Sequence, residues 1–480
     1  MKRFLKFIPA GSIILGATTL ASYGMGLLRD RIFAQTFGAS RTLDAYNAAF
    51  LLPDLLFNIL IASGIAAAFV PILTELLKSD RVPLSPRFGD LHPTVQGAVW
   101  PGEGAHSEHK ERASEYTNTM ITGAMGTMIM AAGIIMIFAG KISSLIAPGF
   151  QLQDQILVAH LLRYLALSPI IFGASNTLGA LLVVKRRFFY YGLSPVLYNL
   201  GIIGGAVFLA PHFGIVGVAM GTVIGALMHL LIRVFDVIRS GFKFKLSFHP
   251  TTPEFRKTIS LMIPKMFGHP VELAMFWVFT VIASTLKPGS VAILSFARNF
   301  QSVPVSLIGI TIATTTFPLL AQAITDHSLE QFRKILKRSF WIIFLGSALA
   351  AVIIFIIREP LIRIVFGGGA FDNESVLRTA LTLGIFTLAI PTESLVQLMA
   401  RAFYSTKNTT IPVVFSIIGF IISTSTAFYL VPRFDIIALP FAFFLASATE
   451  LLLLLSFIPW HLRNIAQKAS SSSGPHLDGL

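Results

Sequence analysis

Charged side chains interrupt the apolar segments of this 480-residue chain at positions where they could bind an ion or a phosphate. Arg29 and Asp30 close the first apolar segment, and Asp44 opens the second. Two later segments carry Glu272 and Arg298. A charged group inside lipid costs on the order of 2.5–3.5 kcal/mol, so these side chains should face a cavity or one another. Because a planar guanidinium donates two parallel hydrogen bonds, the arginines are candidates for binding phosphate.

Arg298 lies in the most polar surroundings of these residues. It belongs to the sequence SFARNFQSVPVSLIG, in which Asn299 and Gln301 follow it closely. A polar cluster inside an apolar segment fits a water-filled cavity, and we expect these three side chains to contact a substrate there. The alternative is that Arg29 and Arg298 form structural ion pairs between helices.

Three glutamates, Glu272, Glu393 and Glu450, are candidates for cation or proton coupling, and structural pairing is the alternative for each. His106 and His109 lie in a polar stretch without an evident third ligand, so we expect a solvated loop there and no metal site. No cofactor is expected beyond a monovalent cation, a proton or the membrane potential.

The motifs of common enzymes and ATP-driven pumps are missing from the sequence. It has no GxxxxGK(S/T) phosphate-binding loop, no HExxH and no GxSxG. It contains no cysteine, which excludes a disulfide framework, a thiol nucleophile and a thiolate metal site. The sequence therefore predicts a protein that is not an enzyme, with transport driven by an ion gradient, by the membrane potential or by consumption of the product.

The elements that must hold the charged residues are membrane-spanning helices. Hydrophobic residues make up 54% of the chain and charged residues only 12%, whereas soluble domains are about one-quarter charged. A bilayer-crossing helix needs roughly 20 largely apolar residues. The sequence therefore predicts an all-α polytopic membrane protein with about twelve transmembrane helices, at residues 7–28, 45–76, 118–140, 155–184, 190–210, 214–238, 258–286, 290–322, 339–357, 373–402, 409–431 and 435–460.

Basic residues concentrate in alternate loops between these segments. With a cytoplasmic N-terminus, the cytoplasmic segments hold 25 lysines and arginines and the opposite side holds 8. Since positive residues favour cytoplasmic loops, we expect both termini in the cytoplasm. The same distribution explains the net charge of +14 without a nucleic-acid partner. The basic start of the chain precedes an apolar run without a convincing cleavage site, so we expect a retained first helix.

The two halves of the sequence repeat each other weakly. Three pairs of short stretches occur in the same order, namely LAPHFGIVGV and LVPRFDIIAL, AFVPIL and TTFPLL, and IAPGF and VFGGGAF. Six spans are therefore followed by six related spans, and because six is even both halves have the same orientation. This predicts two six-helix lobes related by an axis along the membrane normal, with a central cavity.

The repeat and the loops divide the chain into predicted regions. Residues 1–239 form an N-terminal six-helix lobe that contains a polar cytoplasmic loop at 77–116. Residues 240–257 form a basic cytoplasmic linker, and 258–468 form the C-terminal six-helix lobe. The serine-rich tail 469–480 is expected to be disordered.

Two stretches resemble a known family. LLRDRIFAQTFGASRTLDAYNAAFLLPDLLFNILIASGIAAAFVPIL, at 27–73, is similar to the first two spans of MurJ-type (MviN) lipid II flippases of the MOP exporter superfamily. The matching elements are RDR, FGAS, DAY, SG and AFVPIL. SFARNFQSVPVSLIGITIATTTFPLL, at 295–320, resembles the eighth span of the same family. The resemblance follows the span order and the repeat over most of the chain.

The resemblance implies a transporter for cell-wall synthesis. Family members are expected to hold the diphosphate and the sugar–peptide head group of lipid II in a cationic cavity, and to flip this precursor for peptidoglycan biosynthesis in the bacterial cytoplasmic (inner) membrane. By position, Arg29, Asp30, Asp44 and Arg298 match the family's cavity residues. The implied partners are the lipid-linked precursor and membrane lipid, without nucleic acid, and the oligomeric state stays open.

The sequence also departs from this family. Tyr23 stands where the family often has another arginine, and Phe57 and Asn58 stand where it commonly has basic residues. Most members have fourteen spans, and the two that form a groove for the lipid tail have no counterpart among the twelve predicted segments.

Two other transporter classes compete with a lipid II flippase. One is a flippase for another polyprenyl-diphosphate-linked oligosaccharide of the same superfamily. The other is a cation or drug antiporter of the MATE type, which has twelve spans but needs carboxylates in its lobe to exchange ions. A non-transporting scaffold is hard to reconcile with buried charges in both halves.

Overall fold

The protein is described by a computed structural model covering residues 10–62, 65–78, 103–268, 270–326 and 328–472. Within these ranges every regular element is a helix, and the one extended pairing is an isolated bridge between Gly368 and Phe371. This confirms the predicted all-α fold.

The described residues form eighteen α-helices. They are α1 (Ala10–Phe37), α2 (Arg41–Phe57), α3 (Val70–Lys78), α4 (Glu103–Ile146), α5 (Leu152–Leu165), α6 (Leu167–Val184), α7 (Phe188–Gly204), α8 (Ala210–Phe213), α9 (Ile215–Arg239), α10 (Pro253–Gly268), α11 (Pro270–Ser284), α12 (Ser290–Pro304), α13 (Thr311–Thr325), α14 (Leu329–Phe366), α15 (Asn373–Phe386), α16 (Ala389–Ser405), α17 (Thr410–Phe434) and α18 (Ala438–Ser472).

Short π-helical turns interrupt several of the long helical runs. They lie at Asn58–Ala62, Ile65–Phe69, Gly205–Leu209 and Val305–Ile310, and a 3₁₀ turn lies at Asp435–Ile437. A π turn widens the backbone and commonly bends a helix at a functional position.

Within the described residues, each of the twelve predicted segments overlaps a helix or consecutive helices. By length and composition, eight helical runs among the described residues could cross a membrane, or nine if the pair α15 and α16 is one span bent by 42°. One of these runs, Thr410–Ile465, contains α17 and most of α18. The helices at the first and seventh predicted segments, 7–28 and 258–286, are not among these eight or nine candidate spans. The protein is therefore a multi-pass membrane protein, and the number twelve stays a prediction.

The seventh predicted segment, 258–286, coincides with α10 and α11, and residue 269 between them is outside the described ranges. One predicted boundary differs in the structure. Part of the polar loop predicted at 77–116 is helical, because α4 begins at Glu103. Glu103 opens a run rich in glutamate, lysine and arginine, and these residues have high helix propensity. Residues 79–102, and the end of the predicted tail after Ser472, are outside the described ranges.

The described chain forms two compact units. Unit 1 comprises Met1–Ile32, Ala48–Leu145 and Gln151–Pro270, and unit 2 comprises Phe33–Asn47, Ile146–Phe150 and Val271–Leu480. The superposition of the two predicted six-span halves is still a prediction.

Close helix packing holds unit 1 together where α7 and its π turn meet α9. A Cβ atom added at Gly201 would lie 2.3 Å from the Cα of Gly225, and one at Gly205 would lie 2.6 Å from the Cα of Gly221. Small residues of this kind let two helix backbones approach closely in a bilayer, where packing drives association. A larger side chain at either position would push the two helices apart.

Tight turns hold several segments of unit 2 together. Gly38 has φ +64°, and a Cβ atom there would lie 2.3 Å from the carbonyl oxygen of Ala370. Gly289 has φ +87°, and a Cβ atom there would lie 2.1 Å from the carbonyl oxygen of Ala39. Both turns therefore need glycine for backbone conformation and for space.

Candidate functional site

The first predicted site, in unit 1, is an arginine fixed by two neighbours. The Arg29 guanidinium donates to Oδ1 of Asp30 from Nε at 2.9 Å and from Nη2 at 2.7 Å. Its Nη1 donates to Oδ1 of Asn199, on α7, at 3.2 Å. The Arg29 side chain is 26% exposed, whereas that of Asp30 is 7% exposed. The carboxylate and the amide thus orient a partly accessible guanidinium.

The Asp44 carboxylate, in unit 2, is used to cap a helix. Asp44 is fully buried, and its two oxygens accept from the backbone N–H groups of Gly289 at 2.7 Å and Ala292 at 2.8 Å. These groups lie at the N-terminus of α12, where the first N–H groups have no partner within the helix. Arg41, one helical turn earlier, lies 3.8 Å from the same carboxylate. In this structure Asp44 therefore fastens α2 to α12, and its predicted contact with substrate is untested.

The second predicted site, in unit 2, gathers residues from three helices around Arg298 on α12. Nη2 of Arg298 donates to Glu272, on α11, at 2.5 Å, and Nη1 and Nη2 each lie 3.3 Å from an oxygen of Glu393, on α16. Gln301 accepts a hydrogen bond from Arg298, and its amide donates to Glu393 at 2.6 Å. One cation therefore lies between two carboxylates.

Aromatic rings and burial complete the surroundings of this cluster. The Arg298 guanidinium lies 4.6 Å from the ring centre of Phe276 and 5.0 Å from that of Phe443. Gln301 is fully buried and Glu393 is 8% exposed, whereas the side chain of Glu272 is 44% exposed. The two aromatic faces attract the Arg298 guanidinium through cation–π contacts. Burial lowers the local dielectric and strengthens the hydrogen bonds between Arg298 and the glutamates.

The remaining predicted residues lie on the same helices or close to them. Asn299 follows Arg298 on α12, and its backbone carbonyl accepts from the Ser302 hydroxyl at 2.9 Å. Glu450 lies on α18, in the same unit as Glu272 and Glu393. Arg298 joins Glu272 to Glu393, and all three glutamates proposed for coupling belong to unit 2.

One buried arginine of unit 1, Arg233, is not among the site residues predicted from the sequence. Arg233, on α9, is 3% exposed, and its Nε donates to the Ser194 hydroxyl at 2.9 Å. Its Nη1 donates to the Ser175 carbonyl at 2.8 Å and to Oδ1 of Asn176 at 3.1 Å. The ring of Tyr191 lies 4.8 Å from its guanidinium carbon. Neutral oxygens and an aromatic face therefore surround this cation.

A spacing signal could have identified this buried group. His229 and Arg233 are four residues apart on α9 and therefore lie on the same face of that helix. His229 is 5% exposed, and its Nδ1 lies 2.8 Å from the Ser175 hydroxyl. Two polar residues at this spacing within an apolar helix indicate a buried polar contact. Arg233 was missed because it is close to the end of its helix.

Among the described residues no group of three histidines, cysteines, aspartates or glutamates has a metal-binding arrangement. The side chains of His106 and His109 are outside the described part of the chain.

Comparisons with known proteins agree with this fold. Residues 33–471 match the family model described as Lipid II flippase MurJ. A lipid II flippase MurJ of Burkholderia cenocepacia is 24% identical over 422 residues, which is 86% of this chain and 76% of that relative. A probable lipid II flippase MurJ of Vibrio cholerae is 26% identical over 432 residues, which is 88% of this chain and 76% of that relative.

Solved structures share the same fold. A lipid II flippase MurJ in an inward closed conformation superposes with a TM-score of 0.73 at 23% identity, covering 93% of this chain and 87% of that one. An inward-facing multidrug resistance MATE family transporter of the MOP superfamily also gives a TM-score of 0.73, at 13% identity, covering 94% of this chain and 96% of that one.

The fold together with the family match defines a polytopic α-helical membrane transporter. Because the family model covers most of its length, the chain belongs to the lipid II flippase MurJ family. The resemblance identified from the RDR, FGAS and AFVPIL stretches is thereby confirmed.

Proposed function

We propose that this chain flips lipid II, the undecaprenyl-diphosphate-linked precursor of peptidoglycan, from the cytoplasmic to the outer leaflet of a bacterial cytoplasmic membrane by alternating access. The observation that carries this proposal is the match of residues 33–471 to the lipid II flippase family. Two six-helix lobes with a central cavity, and both termini in the cytoplasm, are part of the proposal.

Arg29 is the proposed contact for the diphosphate. Its side chain is 26% exposed and is oriented from behind by Asp30 and Asn199. A charge-assisted hydrogen bond from an oriented arginine to phosphate is among the stronger polar contacts, because both charges and geometry favour it. Asp30 keeps the guanidinium in place and is expected to matter less than the arginine itself.

Arg298 is the second proposed phosphate contact, and its glutamates supply the coupling. In this structure the Arg298 guanidinium donates hydrogen bonds to Glu272 at 2.5 Å and to Glu393 at 3.3 Å. A cation or proton bound at these carboxylates, or at Glu450, would weaken their hold on Arg298. The guanidinium could then bind a diphosphate oxygen, and substrate binding would be linked to the ion gradient.

Rescue of cells depleted of their lipid II flippase tests the proposal directly. The wild-type chain should restore growth and cell shape, and Arg29→Ala should fail although it is present in the membrane in equal amount. Arg433→Ala is the matched control, because Arg433 is an exposed arginine that stacks on Tyr429. Wild-type chain that is correctly inserted but does not rescue would contradict lipid II as the substrate.

A cation antiporter is the second candidate, and one observation favours it. One guanidinium and two carboxylates leave the Arg298 cluster with an excess of acidic groups, which suits a cation better than a phosphate. Efflux of a cationic dye from cells that express the chain would support this candidate, particularly if Glu393→Gln abolished it. Rescue of the depleted cells without dye efflux would exclude it.

A further inference from the structure

The segment Phe242–Phe248, between α9 and α10, is outside the regular helices and lies against helix α4 in unit 1. The buried side chain of Asn118, on α4, donates to the Lys243 carbonyl at 3.4 Å and accepts from the Lys245 N–H at 3.1 Å. The Thr119 hydroxyl accepts from the His249 N–H at 3.4 Å. Side chains of α4 thus form hydrogen bonds with the backbone of this segment, in the way that a neighbouring strand does in a β-sheet. We call Phe242–Phe248 the linker strap.

The strap exposes apolar and basic side chains in alternation. Phe244, Leu246 and Phe248 are 55%, 79% and 50% exposed. The Lys243 carbonyl and the Lys245 N–H both bond to Asn118, as in an extended backbone, in which successive side chains point to opposite sides. Phe244 and Leu246 therefore share one side, and Lys243 and Lys245 share the other. Three large apolar side chains exposed close together on a protein surface indicate a contact with an apolar partner or with lipid.

The end of the strap reaches the apolar part of α4. The Phe248 ring packs edge-on against Phe255 at 5.7 Å, and a Cβ atom added at Gly123 would lie 3.2 Å from the Phe248 ring. Gly123 lies five residues after Asn118, which is about 7.5 Å further along the helix axis. It belongs to the run Glu111–Ile146, which is apolar enough to cross a membrane. The strap therefore lies where α4 changes from polar to apolar sequence.

Further cations surround the strap. Arg239 ends α9 just before it and is exposed. Lys185, in the turn between α6 and α7, donates to the carbonyl and hydroxyl oxygens of Ser240 at 3.2 and 2.9 Å. The neighbouring Arg186 is exposed. Basic residues beside apolar groups at the edge of a membrane-spanning helix are complementary to anionic lipid headgroups.

We propose that the linker strap is a membrane-surface anchor, with Phe244, Leu246 and Phe248 inserted at the boundary of headgroups and acyl chains and Lys243 and Lys245 bound to anionic phospholipid headgroups. An amphipathic segment with this pattern lies in the membrane interface, held by apolar burial and by attraction to anionic lipid. The anchor fixes the predicted linker and unit 1 to the bilayer surface, and it is independent of which substrate the protein flips.

Because the chain contains no cysteine, single cysteines can be introduced and labelled without further changes. We would label Leu246→Cys with an environment-sensitive fluorophore in the full-length protein, reconstituted in vesicles. Thr251→Cys is the matched control, because it is exposed and follows the strap in the same linker. Phosphatidylcholine with a nitroxide near the headgroup should quench the probe at 246 about twofold more strongly than the probe at 251, as expected for an interfacial segment. Equal quenching would overturn the anchor.

The charge of the strap is tested with the same probe. Nitroxide-labelled phosphatidylglycerol should quench the probe at 246 more strongly than labelled phosphatidylcholine does. Replacing both lysines (K243Q and K245Q) should remove this preference, by up to about fivefold per lysine at low ionic strength. Lys334→Gln with Lys337→Gln, exposed lysines on α14, is the control of equal charge and should change nothing. A preference that survives the loss of Lys243 and Lys245 would overturn their assignment to anionic lipid.

Discussion

Arg29 of unit 1 lies at the end of an apolar segment, and Arg298 of unit 2 lies inside one. The two arginines have different neighbours. Arg29 contacts one carboxylate and one amide and retains 26% exposure of its side chain. Arg298 contacts two carboxylates and lies within about 5 Å of two aromatic ring centres. The comparison teaches that the residue type alone does not decide a role, because the groups that surround a guanidinium determine whether it attracts an anion or satisfies buried acids.

The largest expected effect is on transport, at Arg29. Arg29→Ala should abolish flipping, and Arg29→Lys should reduce it about tenfold, because lysine keeps the charge but lacks the planar fork that binds phosphate oxygens in pairs. Arg29→Lys keeps a counter-ion for Asp30, so its melting temperature should stay close to that of the wild type. Flipping in reconstituted vesicles, measured beside thermal unfolding, separates the two effects.

Asp30→Asn is the internal control for this prediction. It should weaken flipping less than Arg29→Ala, because the amide of Asn199 still orients the guanidinium. Wild-type flipping by Arg29→Ala would contradict the phosphate role and would make Arg29 resemble a structural arginine.

The second expected effect is on stability, at Arg298. Arg298→Ala leaves Glu393 without its cation while the carboxylate is 8% exposed. Removing one partner of a buried ion pair costs about 3–5 kcal/mol in unfolding free energy. We therefore expect Arg298→Ala to lose both transport and thermal stability, and Arg298→Ala with Glu393→Gln to regain part of the stability.

Thermal unfolding of the single and double variants in the same detergent checks this prediction. An Arg298→Ala protein that unfolds at the wild-type temperature would show that the carboxylates do not need this guanidinium. Arg298 would then be an available phosphate contact of the same kind as Arg29, and the contrast between the two units would disappear.

The sequence predicted the helices because their signal is local. A run of about 20 apolar residues is visible without any knowledge of the fold. The contact between Arg298 and Gln301 could also be predicted, since residues three apart are neighbours on a helix surface. The pairing of Arg298 with Glu272 and Glu393 joins residues 26 and 95 positions apart and depends on how three helices pack. No pattern within one segment indicates such a contact.

The cap made by Asp44 was not predictable for the same reason. Its carboxylate accepts from Gly289 and Ala292, which are 245 and 248 residues further along the chain. From sequence, an aspartate at the start of an apolar helix has the same pattern whether it contacts a ligand or another helix.

The third prediction concerns this buried cap, which contrasts with both arginine sites because its partners are backbone groups. Asp44→Ala leaves the N–H groups of Gly289 and Ala292 without their acceptor. A buried N–H group that loses its acceptor costs about 1–3 kcal/mol, and the full burial of Asp44 favours the upper end. Asp44→Asn keeps one acceptor oxygen and should cost less. Equal stability of Asp44→Ala and the wild type, measured by thermal unfolding, would contradict the structural role.

The smallest expected effect is at Glu272, and it sharpens the comparison within the Arg298 cluster. The Glu272 side chain is 44% exposed, whereas Glu393 is 8% exposed and also accepts from Gln301 at 2.6 Å. Solvent-exposed ion pairs contribute about 0–1 kcal/mol, since water competes for both charges. Glu272→Gln should therefore change the unfolding free energy little, and Glu393→Gln should change it more.

Glu272→Gln also removes the excess carboxylate, so Arg298 should bind a diphosphate more readily. An inorganic pyrophosphate titration followed by thermal shift would detect tighter binding than in the wild type. If Glu272→Gln destabilised the protein as strongly as Glu393→Gln and left pyrophosphate binding unchanged, the two carboxylates would be equivalent structural partners, and the assignment of Glu272 to coupling would be wrong.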